Sequence, residues 1–237
     1  MEDFSEDGET EDWPFREFVG SLMWLSISTR PDISNAVRSV ARYSSAPKAI
    51  HWKAALGILA YINGTSWFGI TYQRGTSASI SLEVFADADY ASKATDRRSV
   101  SGGAIMYAGA YVCWFSRTQK CVTLSTSEAE YVALVDTVKE LLFLRQVWRF
   151  MLPGKGMPCF PVFEDNQGAV QLSQNPVSNS NSKHIDVRHH FLRELVHQGD
   201  ISVVRLSSEY QHVDILTKAL AFDLFAIHPR FLMNLND

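Results

Sequence analysis

Cysteine is scarce in this chain. Cys113, Cys121 and Cys159 are odd in number and show no Cys-x-x-Cys spacing. That argues against a disulfide framework and a zinc site, and for the reduced thiols of an intracellular protein, cytoplasmic or nuclear. Long apolar runs are missing as well. None approaches the ~20 residues of a membrane span, and no secretory signal opens the chain, so the expectation is a soluble protein with no membrane partner. Basic residues are absent from the first twelve positions, where Glu2, Asp3, Glu6, Asp7, Glu9, Glu11 and Asp12 gather. The formal net charge of −4 therefore misleads, because the remainder carries 22 basic against 19 acidic residues. An acidic, disordered leader (1–13) before a mildly basic body is expected, a balance that permits a polyanionic partner.

The remaining composition is ordinary for a globular chain, with 46% hydrophobic and 20% charged residues among 237. That is enough for one large or two small domains. Apolar residues at Phe15, Phe18, Val19, Leu22, Met23 and Leu25 predict a helix from Pro14 to about Ser28. Thr29-Arg30-Pro31-Asp32 then punctuates the chain, with Thr29 as an N-cap and Pro31 in the first turn of a second helix. A third helix is predicted from about Lys48 to Ile62, closed by Asn63-Gly64 as a left-handed cap. Gly69–Tyr72 suggests a short strand and Gln73–Ser77 a linker. The segment 14–72 is thus expected to be a small all-α unit.

A second unit, 78–221, begins with the alternating stretch Ile80-Ser81-Leu82-Glu83-Val84-Phe85, a β-strand that ends on Asp87 and Asp89. If the strand runs on, both carboxylates share one face. A solvated turn is the plain alternative. Gly102–Tyr107 and Tyr111–Phe115 form a hairpin. Ser125-Thr126-Ser127-Glu128 has capping-box form and starts a helix reaching Met151, with Glu128 and Glu130 in its first turn. Phe160–Phe163 is a strand ending in Glu164-Asp165-Asn166-Gln167. Helices from Gly168 and Lys183, a strand Ile201–Leu206 and a last helix Val213–Leu220 follow. This order predicts a mixed α/β sandwich. No role is evident for 222–237.

Four acids share a placement: Asp87 and Asp165 at strand ends, Glu130 and Asp214 in first turns of helices. Strand ends and helix starts meet at one edge of an open α/β sheet. Clustered carboxylates repel unless cations neutralise them, and hard oxygen ligands suit Mg²⁺ or Mn²⁺. Two such ions roughly 4 Å apart can activate water and stabilise the leaving oxygen of a phosphodiester.

The strings FADADYA, DRRSVSGG, CWFSRTQK, TLSTSEAEYVAL, FEDNQGAV, SKHIDVRHHFLREL and QHVDILTKAL resemble the ribonuclease H domain of copia-type LTR retrotransposon Pol polyproteins. Upstream, PFREFVGSLMWLSISTRPDISNAV and APKAIHWKAALGILAYINGT resemble the segment joining the reverse-transcriptase polymerase to that domain. The resemblance is collinear and covers nearly the whole chain. It implies an RNase H-like mixed five-stranded sheet flanked by helices, preceded by the all-α unit. It implies cleavage of the RNA strand of RNA–DNA hybrids with two Mg²⁺ or Mn²⁺ ions. Asp87, Glu130, Asp165 and Asp214 fall on the family's catalytic, metal-binding acids. Asp89 and Glu128 are candidates for support beside those ligands. Arg97, Arg98, Ser127, Asn166, Lys183 and His184 are candidate substrate contacts, with Arg117 and Lys120 as further phosphate contacts. Solvated loop charges and helix capping are the plain readings of these.

Two departures matter. Cellular RNases H place a histidine in a loop between the last strand and last helix, whereas here the connection is Ser207–Gln211 and His212 follows it, most simply as a surface histidine. No Tyr-x-Asp-Asp motif occurs, so the chain is not itself a working reverse transcriptase. The alternative to an active nuclease is a catalytically silent, domesticated or decayed transposon fragment that binds nucleic acid or a protein. Without the polymerase domain, the 14–72 helices are expected to leave an apolar face that drives self-association. Light scattering at high concentration should detect oligomers; a strict monomer would count against this.

Overall fold

The computed structural model describes residues 13–72, 82–92, 96–174 and 183–235. The expected leader before Trp13, the linker 73–77 and most of the polar loop 174–182 lie outside them.

Helix α1 spans Phe15–Ser28 and buries Phe15, Val19 and Leu22. Thr29 does not cap a second helix. It closes α1, its N–H donating to the Leu25 carbonyl at 3.1 Å. A 3₁₀ turn, Pro31–Ile33, then leads into α2, Ser34–Ala41. The change follows from a buried ion pair. Arg30 and Asp32 are both almost wholly buried, with Arg30 Nη2 2.8 Å from Asp32 Oδ2. The Tyr61 hydroxyl donates to Asp32 at 2.8 Å and Arg30 Nη1 donates to the Thr65 carbonyl at 3.1 Å. A buried pair is tolerable only when its remaining polar atoms are satisfied in this way. Helix α3, Ala49–Gly64, runs through the expected stop without a left-handed residue. The Thr65 hydroxyl, donating to the Tyr61 carbonyl at 2.7 Å, satisfies that end instead. Phe18 packs edge-on against Trp52 beside the shared core of Ile33, Val37, Ala55 and Ile58. Trp24 and Ile27 stay exposed on α1.

Residues 69–72 form no strand; the Thr71 N–H donates to the Met233 carbonyl at 2.9 Å. The sheet has five strands in the order β3-β2-β1-β4-β5. These are β1 Leu82–Asp89, β2 Val100–Tyr107, β3 Ala110–Thr118, β4 Phe160–Glu164 and β5 Ile201–Arg205. Strands β1, β2 and β3 are antiparallel neighbours, while β4 runs parallel to both β1 and β5. Ala108 and Gly109 make the β2–β3 turn with positive φ at both positions (52° and 81°), a geometry whose twist matches the flanking strands. Period-2 alternation sends Leu82, Val84 and Ala86 into the larger core, with Val162, Leu134 and Val138. Phe85 points to the opposite face, against Val213 and Leu216. Helix α4, Thr126–Met151, covers the first face together with α5, Gln167–Gln174, and α6, Lys183–His197.

The predicted helix Val213–Leu220 is only a 3₁₀ turn, His212–Leu216. Its place over the second face is shared with α7, Phe222–Met233, in the stretch for which the sequence suggests no role. Leu232 and Met233 are fully buried, Phe225 meets Tyr61 edge-on, and Phe231 stacks on His212. Helix α7 therefore touches the helical segment and the sheet at once. Truncating a buried leucine typically costs about 3 kcal/mol. Leu232→Ala is expected to destabilise by that order in urea unfolding, and a loss under about 0.5 kcal/mol would mean α7 is not docked.

Candidate functional site

The acids converge as strand ends and helix starts should. Asp87 and Asp89 lie on one face of β1, the first 1% exposed and the second half-buried. Glu130 comes from the first turns of α4, whose start is fixed by Ser125. The Ser125 hydroxyl accepts from the Glu128 N–H at 3.2 Å, and Glu128 Oε2 accepts from the Leu124 N–H at 2.6 Å. Glu128 is thus engaged in capping. Asp165 follows the last residue of β4. One oxygen each from Asp87, Glu130 and Asp165 lie within 4.8 Å of one another. Asp214, in the 3₁₀ turn, joins from the side: Lys218 Nζ is 3.0 Å from Asp214 Oδ2 and 3.8 Å from Asp87 Oδ1.

Gly102 makes this assembly possible. It pairs with Asp87 across β1 and β2, and a Cβ there would come within 2.6 Å of Thr217 Cγ2 and 3.0 Å of Leu216 Cβ. Its bare backbone lets the 3₁₀ turn settle on the sheet, so that the Thr217 hydroxyl donates to Asp87. Gln211 Nε2 fastens the same segment to the Ala86 carbonyl at 2.8 Å. The Ser208 hydroxyl donates to Asp165 at 2.7 Å.

Burial pushes the Asp87 carboxyl from 3.8 up to about 7, reinforced by the charge of Asp214 and opposed by Lys218 and Thr217. Glu130 is raised far more, first by burial and then by Glu164. Glu164 is fully buried and is also raised well above the carboxylate range by burial, although its Oε1 accepts from the Asn166 N–H at 3.0 Å. Asp214 is raised by burial against the pull of Lys218. Glu130 Oε2, Glu164 Oε2 and Asp214 Oδ1 are buried without a hydrogen-bond partner. Buried orphan carboxylate oxygens around a three-acid cluster fit a hard divalent cation.

No family model matches the sequence. Over 222 residues, 94% of this chain, it is 36% identical to the retrovirus-related Pol polyprotein from transposon TNT 1-94 of Nicotiana tabacum. It is 38% identical over 87% of its length to that from transposon RE2 of Arabidopsis thaliana. Over about nine tenths of the chain its homologues are retrovirus-related Pol polyproteins of plant copia-type transposons. It spans 16% and 14% of the length of these two relatives. Among solved structures, RNase H1 of Halobacterium salinarum NRC-1 is 18% identical, covering 58% of this chain and 94% of that one at a TM-score of 0.41.

The other candidates in this Pol-like chain are placed unevenly. The Ser127 hydroxyl and Asn166 Oδ1 lie 3.2 Å apart, and Asn166 Oδ1 also accepts the Ala169 N–H at the start of α5. Gly168 leaves room for Ser127 there. Arg97 and Arg98 are exposed in the β1–β2 connection, Arg98 Nε 3.5 Å from Asp96. Arg117 pairs with Glu140 at 2.8 Å. Lys183 and His184 open α6, and their side chains lie outside what is described. His212 is not a surface histidine. It is half-buried, with its Nδ1 3.0 Å from His228 Nδ1, and burial lowers it to about 4.

Glu164 and Lys218 were not anticipated as site residues. Period 2 places Glu164 on the buried side of β4 with Phe160 and Val162, and Lys218 stands four residues from Asp214. Both signals are in the sequence.

A carboxyl with a higher pKa in the folded than in the unfolded chain binds its proton more tightly when folded. For Asp87 that contribution is present below about pH 4 and is lost as pH rises through about 7. In chelator, the thermal midpoint should therefore fall across that window, and Asp87→Asn should make the fall shallower, with Glu130 and Glu164 still contributing to it. A flat profile in the unaltered protein would refute the buried acid cluster.

Proposed function

We propose that this chain is an RNase H-type endonuclease, hydrolysing the RNA strand of RNA–DNA hybrids. The observation that carries the reading is the cluster of Asp87, Glu130 and Asp165, with orphaned oxygens on Glu130 and Asp214 beside it. Similarity to Pol polyproteins over most of the chain supports it. Asp87, Glu130, Asp165 and Asp214 would hold two Mg²⁺ or Mn²⁺ ions. Bound there, the ions supply neutralisation of the carboxylates, activation of water and stabilisation of the leaving oxygen.

The chain's own groups perform the positioning. Thr217 and Ser208 orient Asp87 and Asp165, and the Gly102 contact keeps the 3₁₀ turn against the sheet. Glu130 is itself buried and bonded to the Ala88 backbone, which keeps bulk water from that side. Hybrids are recognised through shape, backbone and 2′-hydroxyl groups, for which neutral polar side chains and arginines are suited. Ser127 and Asn166 stand beside the acids in a position to meet sugar hydroxyls, while Arg97, Arg98, Lys183 and His184 would meet phosphates. Asp89 and Glu128 support the ligands without holding a cation. Exposed Trp24 and Ile27 on α1 suit docking on a polymerase domain or a second copy.

The reading that the fragment is catalytically silent has one observation in its favour. Internal partners, Thr217 for Asp87, Ser208 for Asp165 and Lys218 for Asp214, already serve these acids.

Cleavage of a labelled RNA–DNA hybrid in Mg²⁺ and in Mn²⁺ separates the two. Hybrid-only cutting is expected, with single-stranded RNA and duplex DNA left intact. Asp165→Asn should reduce cutting below detection while melting normally. A folded protein that cuts nothing in either metal would favour the silent fragment.

A further inference from the structure

The acid cluster carries its own cation. Lys218 follows the 3₁₀ turn, and its ammonium lies 3.0 Å from Asp214 Oδ2 and 3.8 Å from Asp87 Oδ1. The two carboxylates are 14% and 2% exposed, whereas the lysine side chain is 37% exposed. This is not an ordinary surface pair, because both acids are withdrawn from water and share one positive charge. Among the described residues, Glu130, Asp165 and Glu164 have no basic partner within ion-pair distance. A lysine on a flexible four-carbon stem can leave such a position without moving the backbone, which a rigid guanidinium fork does less readily. The partly exposed stem gives it a way out to solvent.

We propose that Lys218 is a tethered counter-ion. Its ammonium neutralises Asp87 and Asp214 in the protein free of divalent cations and competes with a divalent cation for those carboxylates. This rests on the reading that the acids hold metal, and it adds an exchange of one charge for another. The lysine stabilises the empty fold at the cost of metal affinity. Removing its charge should therefore separate two properties that a purely structural residue would change together.

The test is calorimetric titration of the full chain with Mn²⁺ alone, using the unaltered protein, Lys218→Met and Lys218→Arg, with thermal melting in chelator alongside. Lys218→Met should bind Mn²⁺ about tenfold more tightly, the effect of removing one nearby, partly screened charge. It should also melt lower in chelator and recover at saturating Mn²⁺. Lys218→Arg keeps the charge and should stay within about threefold of the unaltered affinity. Lys218→Gln, which keeps a polar tip, is read by the same criterion, so a folding defect of the methionine variant does not remove the result. If the unaltered protein binds Mn²⁺ and the neutral variants bind it equally or more weakly, the counter-ion role is overturned and the metal site stands. If none of the proteins binds Mn²⁺, the metal site falls and the counter-ion role with it.

Discussion

Five carboxyl groups converge on one end of this sheet, and water reaches few of them. Asp87 is the centre of the problem, because it sits on the strand that both halves of the sheet flank. A buried carboxylate must take a proton, a cation or several donors, and isolated charge in a poorly solvated site is too costly to persist. Here the donors are Thr217, Ser208 and the Asn166 backbone, and the cation is Lys218. The surrounding architecture has to deliver all of them to one place. Strand β1 brings Asp87, β4 brings Glu164 and Asp165, the start of α4 brings Glu130, and the 3₁₀ turn brings Asp214, Thr217 and Lys218.

That delivery requires close approach of backbones. Gly102 and Gly168 serve it at two different seams, between β2 and the 3₁₀ turn and between α4 and α5. Gln119 serves a third: its side-chain amide donates to the Ser101 hydroxyl and the Ala129 carbonyl, both at 2.9 Å, joining β2 to the first turns of α4. Such seams leave few ways to shift one acid without shifting its neighbours. Stability is thereby exchanged for a fixed arrangement of charge, as expected where a site rather than a core dictates the packing.

Much of this was legible in the residues. The alternation through Leu82–Phe85 identified β1 and the shared face of Asp87 and Asp89, and Ser125-x-x-Glu128 located the start of α4. Asp87, Glu130 and Asp165 could be grouped because strand ends and helix starts fall on one edge. The misses have physical causes. Thr29 has cap chemistry, but the Arg30–Asp32 pair pulled the following residues into a 3₁₀ turn. Asn63-Gly64 has stop chemistry, but Thr65 satisfied the last carbonyls one residue later. Val213–Leu220 has helical spacing, yet contact with the sheet at Gly102 and the Thr217–Asp87 bond hold it in a tighter winding. His212 drew notice for its place in the chain, whereas its partners, His228 and Phe231, lie in a helix with no recognisable motif. Long-range contacts of that kind leave no local signature.

Helix α7 also bears on the order of folding. Asn234 donates to the Thr71 carbonyl at 3.1 Å across a separation of 163 residues, and Gln211 reaches Ala86 across 125. Contacts this distant in sequence are slow to form, because a long loop must close before they return any free energy. On a ribosome, the helical segment and β1 emerge well before the pieces that cover them. Phe85, Tyr111 and the inner side of the α1–α3 bundle wait without their last partners until residues 211–234 have been synthesised. During that interval the acid edge is also incomplete, since Asp214, Thr217 and Lys218 come from the same late stretch. The nascent chain thus has no complete cluster to bind a cation until residues 212–218 have closed on the sheet.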